Sequence, residues 1–308
     1  MSLTVRFLGT SASRPTVERN VSSIAIVREG ETLMFDCGEG TQRQMMRYGI
    51  SFALSRIFFT HMHADHMLGV IGLCRTLALG GRIEPMHLFG PPGSDDLLHR
   101  AIRLGTDKQP FPIEVTEIKP GDAIEHEQYT LATFPVDHAG KNAMGYALVE
   151  RERLGRFDPS AARAMGIPEG PMWGALHRGK PVTLPDGRVV TAESLVGPSR
   201  PGRRVVLTGD SRPCDATVAA AANADLLVHE ATFSDEEAPR ALETGHSTAR
   251  EAAEVAAKAG VRRLLLTHFS ARYTRDATEL EKEARAVFPE TYIARDGLEL
   301  DVAFTDGD

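Results

Sequence analysis

The stretch His61-Met62-His63-Ala64-Asp65-His66 decides how the rest of the chain is read. Within six residues it offers three imidazoles and one carboxylate. These are ligand types that zinc and its neighbours accept, and catalytic sites keep one coordination position for water. In an extended or turning loop, positions i and i+2 point to one side, while residues beyond a turn point to a second place nearby. His61 and His63 can therefore share one ion while Asp65 and His66 face another. Such a cluster points to a two-metal hydrolytic centre.

Working outward, Arg56 to Thr60 reads as a strand and Met67 to Leu79 as a helix, so the cluster is expected in a loop at a strand's carboxyl end. Upstream, Thr4 to Leu8, Ser22 to Val27 and Thr32 to Asp36 are apolar, β-branched runs ending in Gly or polar residues, and Gly40 to Tyr48 reads as a short helix. Downstream, strands are expected at Met86 to Phe89, Ile113 to Glu117, Tyr129 to Pro135 and Met144 to Val149, with a helix from Asp95 to Arg103. Beyond residue 204 strand and helix alternate: Val205 to Thr208, Asp215 to Ala222, Leu226 to His229, Thr248 to Ala259, Arg263 to Thr267 and Glu279 to Val287. Thr248-x-x-Glu251 is a capping-box start that puts His246 just ahead of a helix. Mostly antiparallel strands first and βα units later predict a mixed α/β (α+β) fold in one domain, residues 1–308: a four-layer αββα sandwich with its site along one edge.

His138, Asp210, Glu230 and His268 each follow an expected strand, where α/β folds assemble their sites. A lone His or Asp there is usually a polar loop residue. Behind a four-ligand motif, His138, Asp210 and His268 become candidate ligands. His87, His99, His126 and His177 match no metal position.

Composition keeps the chain in the ordinary globular class, with 42% hydrophobic and 25% charged residues. The sequence has neither a secretory signal pattern nor an 18-residue apolar run, so no membrane is expected. Cys37, Cys74 and Cys214 are odd in number and far apart, the pattern of reduced thiols in a cytoplasm. The net charge is −7, but its distribution is uneven. Residues 151–204 hold ten Arg or Lys against five acids, which makes that segment +5 and leaves −12 elsewhere. The stretch 150–204 also carries seven prolines and breaks the rhythm of strand and helix, so it reads as an inserted, flexible arm. Trp173, the only tryptophan, lies inside it and is expected either as a plain hydrophobic anchor or as a contact residue.

His-x-His-x-Asp-His followed by distant His, Asp and His resembles the metallo-β-lactamase superfamily. Seven further segments narrow that resemblance to the short form of the ribonuclease Z family: Phe7-Leu-Gly-Thr-Ser-Ala12, Pro15-Thr-Val-Glu-Arg-Asn20, Phe35-Asp-Cys-Gly-Glu-Gly-Thr-Gln42, Gly209-Asp-Ser-Arg212, His229-Glu-Ala-Thr232, His246-Ser-Thr248 and Leu266-Thr-His-Phe-Ser270. The resemblance runs over nearly the whole chain. It implies a zinc-dependent endonuclease that removes the 3′ trailer of precursor tRNA, leaving a tRNA 3′-hydroxyl and a trailer 5′-phosphate. It implies that His61, His63 and His138 hold one Zn2+, that Asp65, His66 and His268 hold a second, and that Asp210 bridges them, Mn2+ or another divalent ion being an alternative. Asp65 would orient or deprotonate the attacking water, and His246, held by Glu230, would protonate the leaving oxygen. The arm would grip tRNA through Gly170, Pro171, Arg178 and Lys180, and a homodimer is expected. Val17 stands where many relatives carry lysine, in a loop associated with the acceptor end.

Two other readings stay open on the residues alone. One is a phosphodiesterase or esterase of small molecules with the same dinuclear site, the insertion serving as a lid. The other is a non-catalytic RNA-binding subunit, against which the complete ligand set argues.

Overall fold

The computed structural model describes residues 2–106 and 111–305. Its strands run in chain order as β1 (Leu3–Gly9), β2 (Ser23–Arg28), β3 (Glu31–Phe35), β4 (Arg56–Phe58), β5 (Met86–Gly90), β6 (Ile113–Glu117), β7 (Ala123–Glu125), β8 (Tyr129–Pro135), β9 (Met144–Glu150), β10 (Val182–Thr183), β11 (Val189–Val190), β12 (Arg204–Leu207), β13 (Leu226–Glu230), β14 (Leu264–Thr267), β15 (Thr291–Ile293) and β16 (Glu299–Asp301). One seven-stranded sheet has the order β16-β1-β2-β3-β4-β5-β6, and the other β15-β14-β13-β12-β9-β8-β7. The expected αββα layering is present. Buried side chains form one core between the sheets and one beneath the helices on each outer face.

The expected split into an antiparallel first half and a βα second half gives way to a more symmetrical arrangement. Strands β3, β4, β5 and β6 pair in parallel, as do β12, β13, β14 and β15, so each sheet is half antiparallel and half parallel. The reason lies in the connections. Helices Thr41–Tyr48, Gly69–Leu79 and Asp95–Arg103 each sit between successive strands of the first sheet, and a helical crossover returns the chain in the same direction.

The sheets are joined close to the histidine cluster. Phe35 and Phe58 stack at 5.4 Å, and Tyr146 from the second sheet meets both edge-on. The buried Tyr146 hydroxyl donates to Phe59 O at 2.8 Å, and Met144 N donates to Thr60 O at 3.0 Å. A buried hydroxyl needs such a partner, so these bonds fix the end of β4 against β9.

The insertion is folded. It leaves at the end of β9 and returns at the start of β12, two strands that are neighbours in the sheet, and its stalk continues their pairing through Arg153–Arg200 and Phe157–Val196 bridges. Its prolines do not keep it irregular because Pro159 and Pro171 open the helices Pro159–Ala164 and Pro171–His177, where no backbone donor is needed. Ala162, Ile167, Leu176, Leu184, Val190 and Leu195 form a separate core. Trp173 is an anchor of that core: its Nε1–H donates to Ile167 O at 3.1 Å and its ring lies 5.4 Å from Phe157. Gly170, Pro171, Arg178 and Lys180 are exposed at the two ends of the second arm helix.

A buried ion-pair network roots the arm. Glu150 accepts from Arg28 Nε at 2.8 Å and from Arg203 Nε and Nη2 at 2.7 and 2.8 Å, with its side chain only 4% exposed. Burial alone would raise the Glu150 pKa, but the hydrogen bonds and charge of Arg203, with help from Arg28, hold it below the ordinary carboxylate value. A depressed pKa contributes stability above the ordinary value, and that contribution is lost as pH falls through the lowered one. Glu150→Ala removes the carboxylate that both guanidiniums face. It is expected to cost about 3–5 kcal/mol in denaturant unfolding. A loss under about 1 kcal/mol would show that the network does not hold the root.

Candidate metal centre

The site is built from strand ends. Thr60 follows β4, and its backbone N–H and hydroxyl both donate to Asp36, which follows β3 in a left-handed conformation (φ 57°). Having given its proton to Asp36, the Thr60 hydroxyl accepts from His61 Nδ1 at 3.0 Å. Asp36 Oδ2 also accepts from His66 Nδ1 at 2.7 Å. On the second sheet, His138 Nδ1 donates to Gly245 O at 2.8 Å. His268 Nδ1 donates to the Thr232 hydroxyl at 2.9 Å, which passes its own proton to Glu230 Oε2 at 2.6 Å. These partners assign the Nδ1–H tautomer to four imidazoles, each left with a bare Nε2 turned inward.

The inward atoms meet. His61 Nε2 lies 2.9 Å from His63 Nδ1, which lies 3.3 Å from His138 Nε2. Asp210 Oδ2 is 3.6 Å from His61 Nε2 and 4.0 Å from His138 Nε2. On the other side, His268 Nε2 is 3.3 Å from His66 Nε2 and 3.4 Å from Asp65 Oδ2. Asp210 Oδ1 completes that side at 3.3 Å from His66 Nε2 and 3.2 Å from His268 Nε2. His61, His63, His138 and Asp210 thus form one donor group, Asp65, His66 and His268 another, and Asp210 touches both. All seven residues expected from the sequence come together.

The donor set fits a cation. Asp210 Oδ1 is buried without a hydrogen-bond partner, between the inward Nε2 atoms of His66 and His268. Lone pairs facing one another at such distances, in a buried site, are stable only around positive charge. Burial pushes the pKa of His61 and His63 down, favouring the neutral ligand form. Burial works against ionised Asp210, but His268, His66 and His61 overcome it and hold its carboxyl well below the usual range. Burial likewise disfavours a charged His66, yet Asp210, Asp36 and Asp65 together push its pKa up, the field of a site arranged for a cation.

His246 stands beside this cluster. Its Nδ1 is 2.7 Å from Glu230 Oε1, and Glu230 is fixed by Ser211 N and by Thr232. Burial lowers the His246 pKa, but the charge and hydrogen bond of Glu230 outweigh it and push the imidazole up to about 9.

One expectation needs correction. Only His61, Met62 and His63 lie in a loop, whereas Asp65 and His66 sit on the short helix Ala64–Met67. A helical turn swings them away from the extended His61–His63 pair, which is how one motif serves both sides. Sequence reading gave no role to Asp36, Thr60, Thr232 or Gly245. Asp36 carried the same signal as Asp210, a carboxylate just after an apolar strand. The hydroxyls and the carbonyl carry no such mark. Of the remaining histidines, His87 meets Glu114, His99 meets Asp95, His126 stacks on Tyr129 and His177 bonds to Gly155 O, all outside the cluster.

Gly245 combines φ +77° with close packing, since a Cβ there would lie 2.7 Å from Ala139 Cβ and 2.8 Å from Ala139 N. Its carbonyl orients His138 and its neighbour is His246. Gly245→Ala is expected to lower turnover about 10–100-fold and to weaken metal retention measured by dialysis, with about 1–2 kcal/mol lost in unfolding because an L-residue is strained in left-handed backbone. Unaltered turnover would show that the 245–246 backbone does not position the site.

Among the described residues no helix is long and apolar enough to cross a membrane. Residues 3–155 match the family model described as Anti-Pycsar protein Apyc1, and residues 175–269 match the beta-lactamase superfamily domain. A curated relative from Gemmatimonas aurantiaca, named ribonuclease Z, is 62% identical over 99% of this chain and 98% of its own. A second of that name, from Myxococcus xanthus, is 53% identical over 99% of each. The crystal structure of human tRNase Z, short form, superposes with a TM-score of 0.71 at 27% identity, covering 98% of this chain and all of that one. The metallo-beta-lactamase fold protein YhfI from Bacillus subtilis shares the fold, with a TM-score of 0.70 at 20% identity over 97% of this chain and 99% of its own. Relatives this similar over almost every residue, together with a donor cluster suited to divalent metal, lead to one conclusion: the chain belongs to the ribonuclease Z family, hydrolases of the metallo-β-lactamase fold.

Proposed function

We propose that this chain, a metal-dependent endoribonuclease of tRNA 3′-end processing, works with two Zn2+ ions. His61, His63, His138 and Asp210 would hold one, and Asp65, His66, His268 and Asp210 the other, with Mn2+ or another divalent ion able to substitute. The observation that carries this reading is the buried Asp210 Oδ1, without a hydrogen-bond partner, set 3.3 and 3.2 Å from the inward Nε2 atoms of His66 and His268. When bound, such ions polarise the phosphate and lower the pKa of a water.

The chain's own residues do the rest. Asp65 accepts from Ser13 N at 2.6 Å, which leaves its carboxylate oriented to align the attacking water and take its proton. The water oxygen bonds to phosphorus as the bond from phosphorus to the 3′-oxygen breaks. That oxygen leaves as a hydroxyl if it receives a proton, and His246, kept protonated at Nδ1 by Glu230, offers one from Nε2. The products are a tRNA with a 3′-hydroxyl and a trailer with a 5′-phosphate.

Precursor tRNA would lie with its phosphates against the arm, which exposes Gly170 and Pro171 at one end of its second helix and Arg178 and Lys180 at the other. Such contacts fix position without reading sequence. Arm and body would belong to one domain, residues 1–308, with the arm able to move on its stalk. A homodimer would let one subunit's arm serve the other's site. A cytoplasmic setting fits this substrate and the three free thiols.

The test is cleavage of a precursor tRNA with both new ends mapped. Cleavage is expected to leave the ends named above, to stop after chelation and to return with Zn2+ or Mn2+. Activity that survives chelation, or a 3′-phosphate on the tRNA, would overturn the reading.

A further inference from the structure

Three loops carry His138, Asp210 and His246, and one residue of the second joins the other two through its backbone and its side chain. Arg212 lies two residues after Asp210, and its backbone N–H donates to Asp137 O at 2.6 Å, next to His138. Its Nη1 donates to His246 O at 2.7 Å and to Glu251 Oε2 at 2.6 Å, while Nη2 takes Glu251 Oε1. Glu251 closes the capping box of helix Ala249–Ala259: its carboxylate accepts from Thr248 N at 2.9 Å, and its own N–H donates to the Thr248 hydroxyl. A neighbouring bond, from the Ser247 hydroxyl to Ser211 O, ties the same two loops.

We infer that Arg212, braced by Glu251, is a positioning residue that sets His246 for proton donation to the leaving oxygen. The inference rests on the proposed role of His246. A planar guanidinium can hold a carboxylate with two N–H groups and still reach a carbonyl, which a lysine ammonium on a flexible stem cannot reproduce. The Arg212 and Glu251 side chains are 17% and 25% exposed, so the fork is partly shielded. Glu251 links the cap of a whole helix to the carbonyl of His246. Rotation of that loop would carry the imidazole away from Glu230 and from the departing atom. Arg212 itself touches neither substrate nor metal donors.

The proton leaves His246 Nε2 for the 3′-oxygen as the phosphorus–oxygen bond breaks. A sulfur in that bridging position leaves as a thiolate and needs no proton. The experiment therefore compares single-turnover cleavage, at saturating enzyme, of a precursor tRNA with a 3′-oxygen or a 3′-sulfur at the scissile bond. Wild type, Arg212→Lys, Glu251→Gln, His246→Ala and the Arg212→Lys/His246→Ala double variant are compared. Glu251→Gln keeps an acceptor for the helix cap and so guards against loss of folding.

His246→Ala is expected to lose about 10²–10⁴-fold on the oxygen substrate. Arg212→Lys and Glu251→Gln are expected to lose about 10–100-fold, as partners acting through another group do. Sulfur should recover most of each loss, and the double variant should match His246→Ala, because coupled residues are not additive. Equal slowing of both substrates by Arg212→Lys, or a double variant showing the product of the single losses, would overturn the inference. Failure of sulfur to rescue His246→Ala would instead overturn the proposed role of His246.

Discussion

Asp65→Ala is expected to reduce single-turnover cleavage of precursor tRNA by about 10²–10⁴-fold, the range for loss of a positioned general base. Its carboxylate faces His268 and His66 at 3.4 and 3.6 Å while accepting from Ser13 N. Burial favours the protonated form, but His66 and His268 hold this carboxyl well below the ordinary range, so it stays an acceptor at working pH. Its removal also strips a donor oxygen from one side of the cluster. Metal content after dialysis should therefore fall together with rate. Asp65→Asn keeps the shape and one acceptor oxygen, and is expected to lose less metal than alanine while still losing rate. Undiminished cleavage by Asp65→Ala would remove Asp65 from the mechanism.

Deletion of residues 155–200, closed by a short turn, is expected to lower kcat/KM on precursor tRNA at least about 10³-fold, given the salt-sensitive affinity that several phosphate contacts supply. Hydrolysis of a small phosphodiester should persist. The fold permits this separation. Arg153 pairs across the stalk with Arg200, the last residue removed, so the ends left at Leu154 and Pro201 lie close enough for a turn to bridge, and the arm's core is its own. Glu150, Arg28 and Arg203 remain in place below the cut. Loss of small-ester hydrolysis with retained unfolding stability would mean that the arm covers the site as a lid. Unchanged tRNA cleavage would take the arm out of substrate binding.

The candidate metal donors are legible in the sequence because they obey a positional rule: His61, Asp210 and His268 all stand just past short apolar runs that read as strands. Asp36 obeyed the same rule, but a single carboxylate with no neighbouring imidazole in sequence has no reason to stand out. The hydrogen bonds that fix each tautomer come from threonine hydroxyls and a glycine carbonyl, groups present throughout any chain. The parallel half of the first sheet was hidden for a different reason. Helices Thr41–Tyr48 and Asp95–Arg103 were visible, but pairing direction depends on the whole crossover rather than on either strand. In the arm, proline content masked two helices because proline at a first helical position favours the helix instead of breaking it.

The donors are spread along the chain as well as between the sheets. His61 to His66 come early, His138 and Asp210 follow, and His268 comes last. On the ribosome, domains form as the chain emerges. A nascent chain lacks the last imidazole until β14 has been made, and that imidazole reaches the cluster only after the two sheets close. A chain that stops short of β14 therefore lacks one of the candidate donors. A nuclease arranged in this way brings its candidate donors together only once β14 has been made.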